Sequence, residues 1–266
     1  MTGDLTSGGA FRVVPMARFA QGGRWRTEAM RSYSQPVLFW FTKGQGRITI
    51  SGVTRGYGAH NAVFVPADTM HGFDMLGQVH GSVLFFPRSG DLGLPEEAQH
   101  LRLRDARQHA ELNRLIDDIS QEITGDMPGQ DRALMHHGGL ISLWLGRHIE
   151  AHADTISGSQ AARRLVAAYA ALIELDFQSP STVADYAARL GVTPTHLSRV
   201  CNVTSGQPAS KLLADRVHFE ARRLLRETGA PVHQIAGQLG FSSAAYFTRA
   251  FQKQTGMTPT SFRRAR

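Results

Sequence analysis

Two arginines, Arg199 and Arg249, occupy the same place in two stretches of one repeated pattern. A guanidinium can fork two hydrogen bonds to O6 and N7 of guanine, so a matched pair of arginines suggests base readout. Thr195, His196 and Ser198 accompany the first; Ser243, Ala244, Ala245 and Thr248 accompany the second. The hydroxyls suit bases or phosphates, whereas the alanines offer only methyl contacts, for instance to thymine. The first stretch is therefore richer in hydrogen-bonding groups.

Those side chains need helices to carry them. Residues 183–201, VADYAARLGVTPTHLSRVC, and 232–251, VHQIAGQLGFSSAAYFTRAF, each open with an apolar stripe at i, i+3, i+4 and i+7: Val183, Tyr186, Ala187 and Leu190, then Val232, Ile235, Ala236 and Leu239. That is one face of a helix. Gly191 and Gly240 follow, suited to a left-handed helix end. Thr193 and Ser242 then offer caps for a second helix, with Pro194 suited to its first position. Leu197, Val200 and Cys201, and Phe247, Ala250 and Phe251, form the inward faces. Two helix-turn-helix units are expected, at about 181–204 and 230–255. A single helix pair with a Gly turn is common in proteins that never touch DNA; two copies are not.

Charge supports the same reading. The chain carries 29 basic and 22 acidic residues. From Gly158 onward there are 14 basic and 6 acidic residues, so the whole surplus lies with the repeat, as neutralisation of a phosphate backbone requires. Residues 208–225, PASKLLADRVHFEARRLL, read as a connecting helix with Leu213, Val217, Ala221, Leu224 and Leu225 on one side and arginines elsewhere. Its length of roughly 27 Å approaches the ~34 Å between successive major grooves on one face of B-DNA.

The segments LGVTPTHLSRV, DRVHFEARRLL and IAGQLGFSSAAYFTRAFQKQTGMTPTSFRR resemble the AraC/XylS family of bacterial transcription regulators over roughly 161–266. The resemblance implies an all-α DNA-binding domain with two helix-turn-helix units, reading double-stranded promoter or operator DNA through the Thr195, His196, Ser198 and Arg199 positions and the Ala244, Ala245, Thr248 and Arg249 positions. The chain departs from the family at Cys201, where a large aromatic is usual. As the single cysteine it forms no internal disulfide, and on an inward face it reads as inert core.

Upstream the texture changes. Residues 36–42 (PVLFWFT), 46–50, 61–66 and 81–86 are short apolar runs between turn residues, which suggests an all-β sandwich or barrel. FWFTKGQGRITI and FVPADTMHGF resemble the cupin-like effector-sensing domain found in this family, and HGF followed by GSVLFFP resembles the branch that detects 4-hydroxybenzoate and related aromatic acids. Arg24, Arg26, Trp40, His71 and Phe73 are the candidate effector-binding residues, an aromatic wall with a cation for a carboxylate. Cupin enzymes supply a His-x-His pair and a Glu before a further His; here only His71 matches. No catalytic residue, metal site or cofactor is expected, since catalytic metals need about three protein ligands.

Residues 105–124 and 130–149 read as two amphipathic helices, with Leu112, Leu115, Ile116, Ile119 and Ile123 at helical spacing. This stripe is either intramolecular core or a dimer seam; the resemblance favours the seam and implies a homodimer, with RNA polymerase as a further partner. The expected organisation is multidomain: a cupin-like domain at 1–90, a helical dimerisation segment at 91–150, a linker at 151–160 and the DNA-binding domain at 161–266. Nothing in MTGDLTSGGA reads as an export signal and no apolar run reaches ~20 residues, so cytoplasmic residence without a membrane is expected. A sequence-specific regulator controlled by a small molecule is the leading reading. The rivals are a non-specific architectural DNA-binding protein, which would show no preferred operator, and a cupin-fold enzyme fused to a DNA-binding domain, which would carry bound metal.

Overall fold

A computed structural model describes residues 9–21, 25–125, 127–151 and 160–265. The N-terminal part contains β1 (Arg12–Pro15), the one-turn helices α1 (Met16–Phe19) and α2 (Trp25–Glu28), then β2 (Val37–Ile50), β3 (Val53–Tyr57), β4 (Asn61–Val65), β5 (His71–Phe85) and β6 (Gln99–Arg102). Helices α3 (Ala106–Gly125) and α4 (Gln130–Ala151) follow. The C-terminal part is helical: α5 (Gln160–Asp176), α6 (Val183–Arg189), α7 (Pro194–Ser205), α8 (Ala209–Glu227), α9 (Val232–Gln238), α10 (Ala244–Thr255) and α11 (Pro259–Arg264).

The long strands β2 and β5 pair antiparallel from Val37↔Phe85 to Ile50↔His71, with register shifts between Phe41 and Gln45. Strand order is β1-β5-β2-β4-β6, with β3 beside the second half of β2. The end strands β1 and β6 do not pair with each other, so the sheet is not closed into the expected barrel, and β6 joins it from beyond residue 90. The run 37–41 is apolar at every position because both faces of the sheet are covered. Leu38, Trp40, Phe64 and Leu84 pack towards α3 and α4. Phe39, Phe41, Val63 and Phe85 pack on the opposite side with Phe19, Tyr33 and Phe73.

Helices α3 and α4 belong to the first of these cores. Leu112, Leu115, Ile116 and Ile119 are buried beside Trp144 and Leu145 of α4. Of the two readings open for this stripe, intramolecular core is the one realised, and the expected dimer seam on α3 is not available to a second chain. The expected linker, 151–160, lies outside the described residues except at its two ends. Among the described residues, no helix is long and apolar enough to cross a membrane.

The two parts touch extensively. Thr54 Oγ1 on β3 donates to the Ser205 carbonyl at the end of α7, 3.1 Å. Ser32 Oγ donates to Glu174 Oε2 of α5 at 2.6 Å. Met30 and Met70 enter the core of the helical part, and the Trp25 ring lies 5.8 Å from Phe219 and 6.0 Å from Phe262. The connecting helix α8 is therefore not a solvated rod: Arg216 and Arg222, which sequence spacing placed outward, are buried. Arg216 Nε binds both Glu174 oxygens at 2.9 and 3.0 Å and stacks 3.8 Å over Phe177. A buried ion needs such partners to offset its desolvation.

Candidate nucleic-acid interface and ligand cavity

Two helix pairs, α6/α7 and α9/α10, flank α8. Its 19 residues span about 28 Å at ~1.5 Å each. The first pair starts with a capping box: the Asp185 amide donates to Thr182 Oγ1, and the Thr182 amide donates to Asp185. This arrangement satisfies N–H groups that a helix end otherwise leaves open. The Thr182 hydroxyl also donates to the Asp185 carboxylate and, with the Thr182 amide, holds that carboxyl below its ordinary range. Gly191 and Gly240 have φ of 67° and 74°, the left-handed turn that the sequence anticipates.

Thr193 caps α7 through the His196 amide, with Pro194 at the start of the helix. On α10 the cap is Ser243, not Ser242, through the Tyr246 amide. The second turn is one residue longer, so counting from the caps pairs Thr195 with Ala245, His196 with Tyr246, Ser198 with Thr248 and Arg199 with Arg249. Ala244 matches Pro194 at the first helical position instead of a reading position. Thr195, His196, Arg199, Ala245 and Arg249 are exposed and Ser198 is half-buried. Arg199 and the His196 ring are in contact at 3.2 Å, so the two act as one polar group. Thr248 Oγ1 donates to the Ala244 carbonyl at 2.8 Å, which commits its proton within the helix.

Further outward residues escape the sequence reading. Asn202 and Val203 on α7, and Tyr246, Gln252 and Lys253 on α10, are exposed. Asn202 and Gln252 stand one turn beyond the two arginines at matched positions; a carboxamide can pair bidentately with adenine. Spacing from the arginines could have found them. Thr195, Ser198, Arg199, Asn202 and Val203 line one concave surface with Val183, Pro194 and Ser210.

The candidate effector residues are dispersed. Arg24 lies outside the described residues, as does the side chain of Arg26 in α2. Trp40 faces α3, where its Nε1 donates to Asn113 Oδ1 at 2.7 Å. His71 and Phe73 lie on the opposite face, with Phe39 5.7 Å from the His71 ring and 5.3 Å from Phe73. Burial, with Arg31 and then Arg216 nearby, pushes the His71 imidazole down to about 3 although its contact with the Thr69 carbonyl opposes this. The expected wall of Trp40, His71 and Phe73 is thus not one site, because alternate strand positions point to opposite faces. Among the described residues no group of three or more His, Cys, Asp or Glu could hold a metal.

A cavity of about 320 Å³ lies instead between the two parts, lined among others by Phe19, Trp25, Tyr33, Phe177, Phe219 and Arg216. Arg216 and Arg223 share Glu220 there, and Arg223 also meets Glu227. Burial raises the Glu174 carboxyl beside the cavity, against the pull of Arg216 and Ser32.

With this geometry in place, residues 186–265 match the family model described as a helix-turn-helix domain. A putative AraC-like transcription regulator of Streptomyces antibioticus is 31% identical over 151 residues, 55% of this chain and 49% of that protein. The transcriptional regulator Rob of Salmonella typhimurium is 32% identical over 93 residues, 35% of this chain and 32% of Rob. The chain thus spans less than half the length of these curated relatives. Among solved structures, the C-terminal domain of AraT, a response regulator from Geobacillus stearothermophilus, is 32% identical, covering 41% of this chain and 87% of that one, TM-score 0.37. Apo ToxT from Vibrio cholerae is 15% identical across 97% of this chain and 98% of that one, TM-score 0.47. The C-terminal part of this chain is a helix-turn-helix domain similar to those of AraC-type regulators.

Proposed function

We propose that the protein is a sequence-specific DNA-binding transcriptional regulator controlled by a small-molecule effector. The observation that carries this is the pair of capped helices α7 and α10, each presenting an exposed arginine on a polar face, held at the two ends of α8. In this reading α7 reads bases through Thr195, His196, Ser198, Arg199 and Asn202. Helix α10 reads through Ala245, Arg249 and Gln252, with Ser243, Ala244 and Thr248 near the backbone. Phosphate contacts would come from the basic surplus and position the protein without specifying sequence.

The effector site is the cavity between the parts, not the interior of the sheet, which is packed with rings. Its lining joins the N-terminal segment to α8, so a bound molecule would favour one placement of the sheet domain on the helices. The shift can be no larger than its differential affinity for the two placements. Selection of binding sites from random duplex DNA tests the first claim: a bipartite consensus with its halves about one helical turn apart is expected, and enrichment without sequence preference refutes it. A thermal-shift screen of aromatic acids, amino acids and sugars tests the second, using Phe219→Ala as the variant whose response should vanish.

A further inference from the structure

Charges alternate along one side of the cavity between the two parts. Glu174, Arg216, Glu220, Arg223 and Glu227 form a single row. Arg216 Nε meets both Glu174 oxygens at 2.9 and 3.0 Å, and its Nη1 meets Glu220 Oε2 at 3.2 Å. Arg223 Nε meets the other Glu220 oxygen at 3.1 Å, and its Nη1 meets Glu227 at 3.1 Å. Each guanidinium is thus held between two carboxylates. Among the described residues, Arg216 and Arg223 are the only cations lining the cavity. With three carboxylates to two guanidiniums, the row has no positive charge to spare. An entering anion would lose its water without gaining a counter-ion.

The aromatic side of the wall disfavours cations. Arg31 is fully buried, and its guanidinium carbon lies 5.5, 5.7 and 5.8 Å from the ring centres of Phe19, Tyr33 and Phe219, three of the rings that line the cavity. Arg216 rests 3.8 Å over a fourth, Phe177, and Arg222 lies 5.6 Å from a fifth, Trp25. A ring attracts a cation through its face. Here all five rings already have one, and a second would meet like charge. What the rings still offer is stacking and apolar area, while Ser34 and Gln178 in the lining add uncharged hydrogen-bonding groups.

We propose that the cavity takes an uncharged, flat ring compound with hydrogen-bonding substituents, and that Glu220 and Glu227 set this specificity by rejecting carboxylic acids. The proposal rests on the reading of the cavity as the effector site. At about 320 Å³ the space is at the small end of ligand pockets, ~300 to 1,000 Å³, which suits one or two rings. Discrimination of this kind comes from a repulsive element as much as from an attractive one.

Three probes of one shape separate the charges: 2-naphthamide, 2-naphthoate and 2-naphthamidinium, neutral, anionic and cationic at pH 7. Isothermal titration of the full chain without DNA is expected to show the amide binding at least about tenfold tighter than either ion. Glu227→Gln, which leaves Arg223 with one carboxylate, should tighten naphthoate binding by roughly tenfold and leave the amide unchanged. Phe219→Ala, which removes one ring, and Ser34→Trp, which fills the space, should each abolish amide binding, so either serves if the other does not fold. Either ion binding as tightly as the amide, no binding of the amide up to its solubility, or unchanged naphthoate affinity in Glu227→Gln overturns the proposed class. If an acid binds best and Phe219→Ala abolishes it, the class falls and the cavity stands as the effector site. If the amide binds and neither cavity variant weakens it, the cavity is not the effector site and both readings fall.

Discussion

The two helix pairs α6/α7 and α9/α10 are built on one pattern but secured differently. The first is tied to the sheet domain: α7 meets β3 through Thr54 and Ser205, and Gly52 of the β2–β3 turn packs on Val166 of α5. The second is held within the helical part. Its Gly240 lies against the backbone of Gln178 and Ser179, leaving no room for a Cβ, whereas a Cβ at Gly191 meets nothing within 4 Å. Repetition of sequence has therefore not produced repetition of support. The pair with more hydrogen-bonding groups is the one within reach of the sheet domain, and the pair leaning on Arg249 is braced from behind.

The largest test of that contrast lies on the buried faces of α7 and α10. Phe251 and Cys201 occupy matched buried positions. Phe251→Ala should cost about 3 to 5 kcal/mol in a urea melt, against about 1 kcal/mol for Cys201→Ala; equal losses would mean the units are packed alike. In the turns, Gly240→Ala should cost about 2 to 5 kcal/mol, combining left-handed strain with overpacking. Gly191→Ala carries the strain alone, about 1 to 2 kcal/mol, and the difference in Tm checks this.

Acid should separate the units further. His218 on α8 lies near Phe251, ring centroids 6.5 Å apart, and burial, with Arg222 and Lys211, holds its imidazole down to about 4. A folded pKa below the unfolded value of ~6.5 gives stability that is present above pH 6.5 and is lost as pH falls towards 4, at most about 3 kcal/mol. His71 and His100 in the sheet domain share that direction. The diagnostic is therefore the difference between wild type and His218→Gln in melts at pH 7 and 4.5: the variant should lose less on acidification.

On DNA, Arg199→Ala and Arg249→Ala should each cost about 1 to 3 kcal/mol of discrimination at one base position, measured by competitive binding to the selected consensus. A smaller loss at Arg199 would show that His196, Ser198 and Asn202 share its readout. The smallest effect is expected at Thr182→Ala, about 1 kcal/mol. It removes the first unit's capping box and brings it level with α9, whose cap Pro231 makes no side-chain bond.

The helix stripes, glycine turns and connecting helix were legible in the sequence because each depends on neighbours within a few residues. The second cap was not, since Ser242 and Ser243 both qualify and the choice goes with a turn one residue longer, packed on Gln178 and Ser179 some sixty residues earlier. Trp40 sits in an apolar run without alternation, so nothing local assigned it a face; Asn113 of α3 does. Arg216 and Arg222 read as solvent-facing because their partners, Glu174 and Trp25, lie far away in sequence. The separation of Trp40 from His71 and Phe73 was hidden for the same reason. The cavity draws its walls from Phe19, Trp25 and residues 32–35, from 177–178, and from the α8 stretch between Arg216 and Glu227, a combination that no single motif announces.

Cys201, fully buried on the inward face of α7 and the single thiol in the chain, gives the molecule a built-in clock. Burial pushes its pKa up to about 11, so an alkylating reagent must wait for α7 to lift from its bed. The labelling rate then counts those excursions directly, with and without DNA or effector, and no residue need be changed to read it.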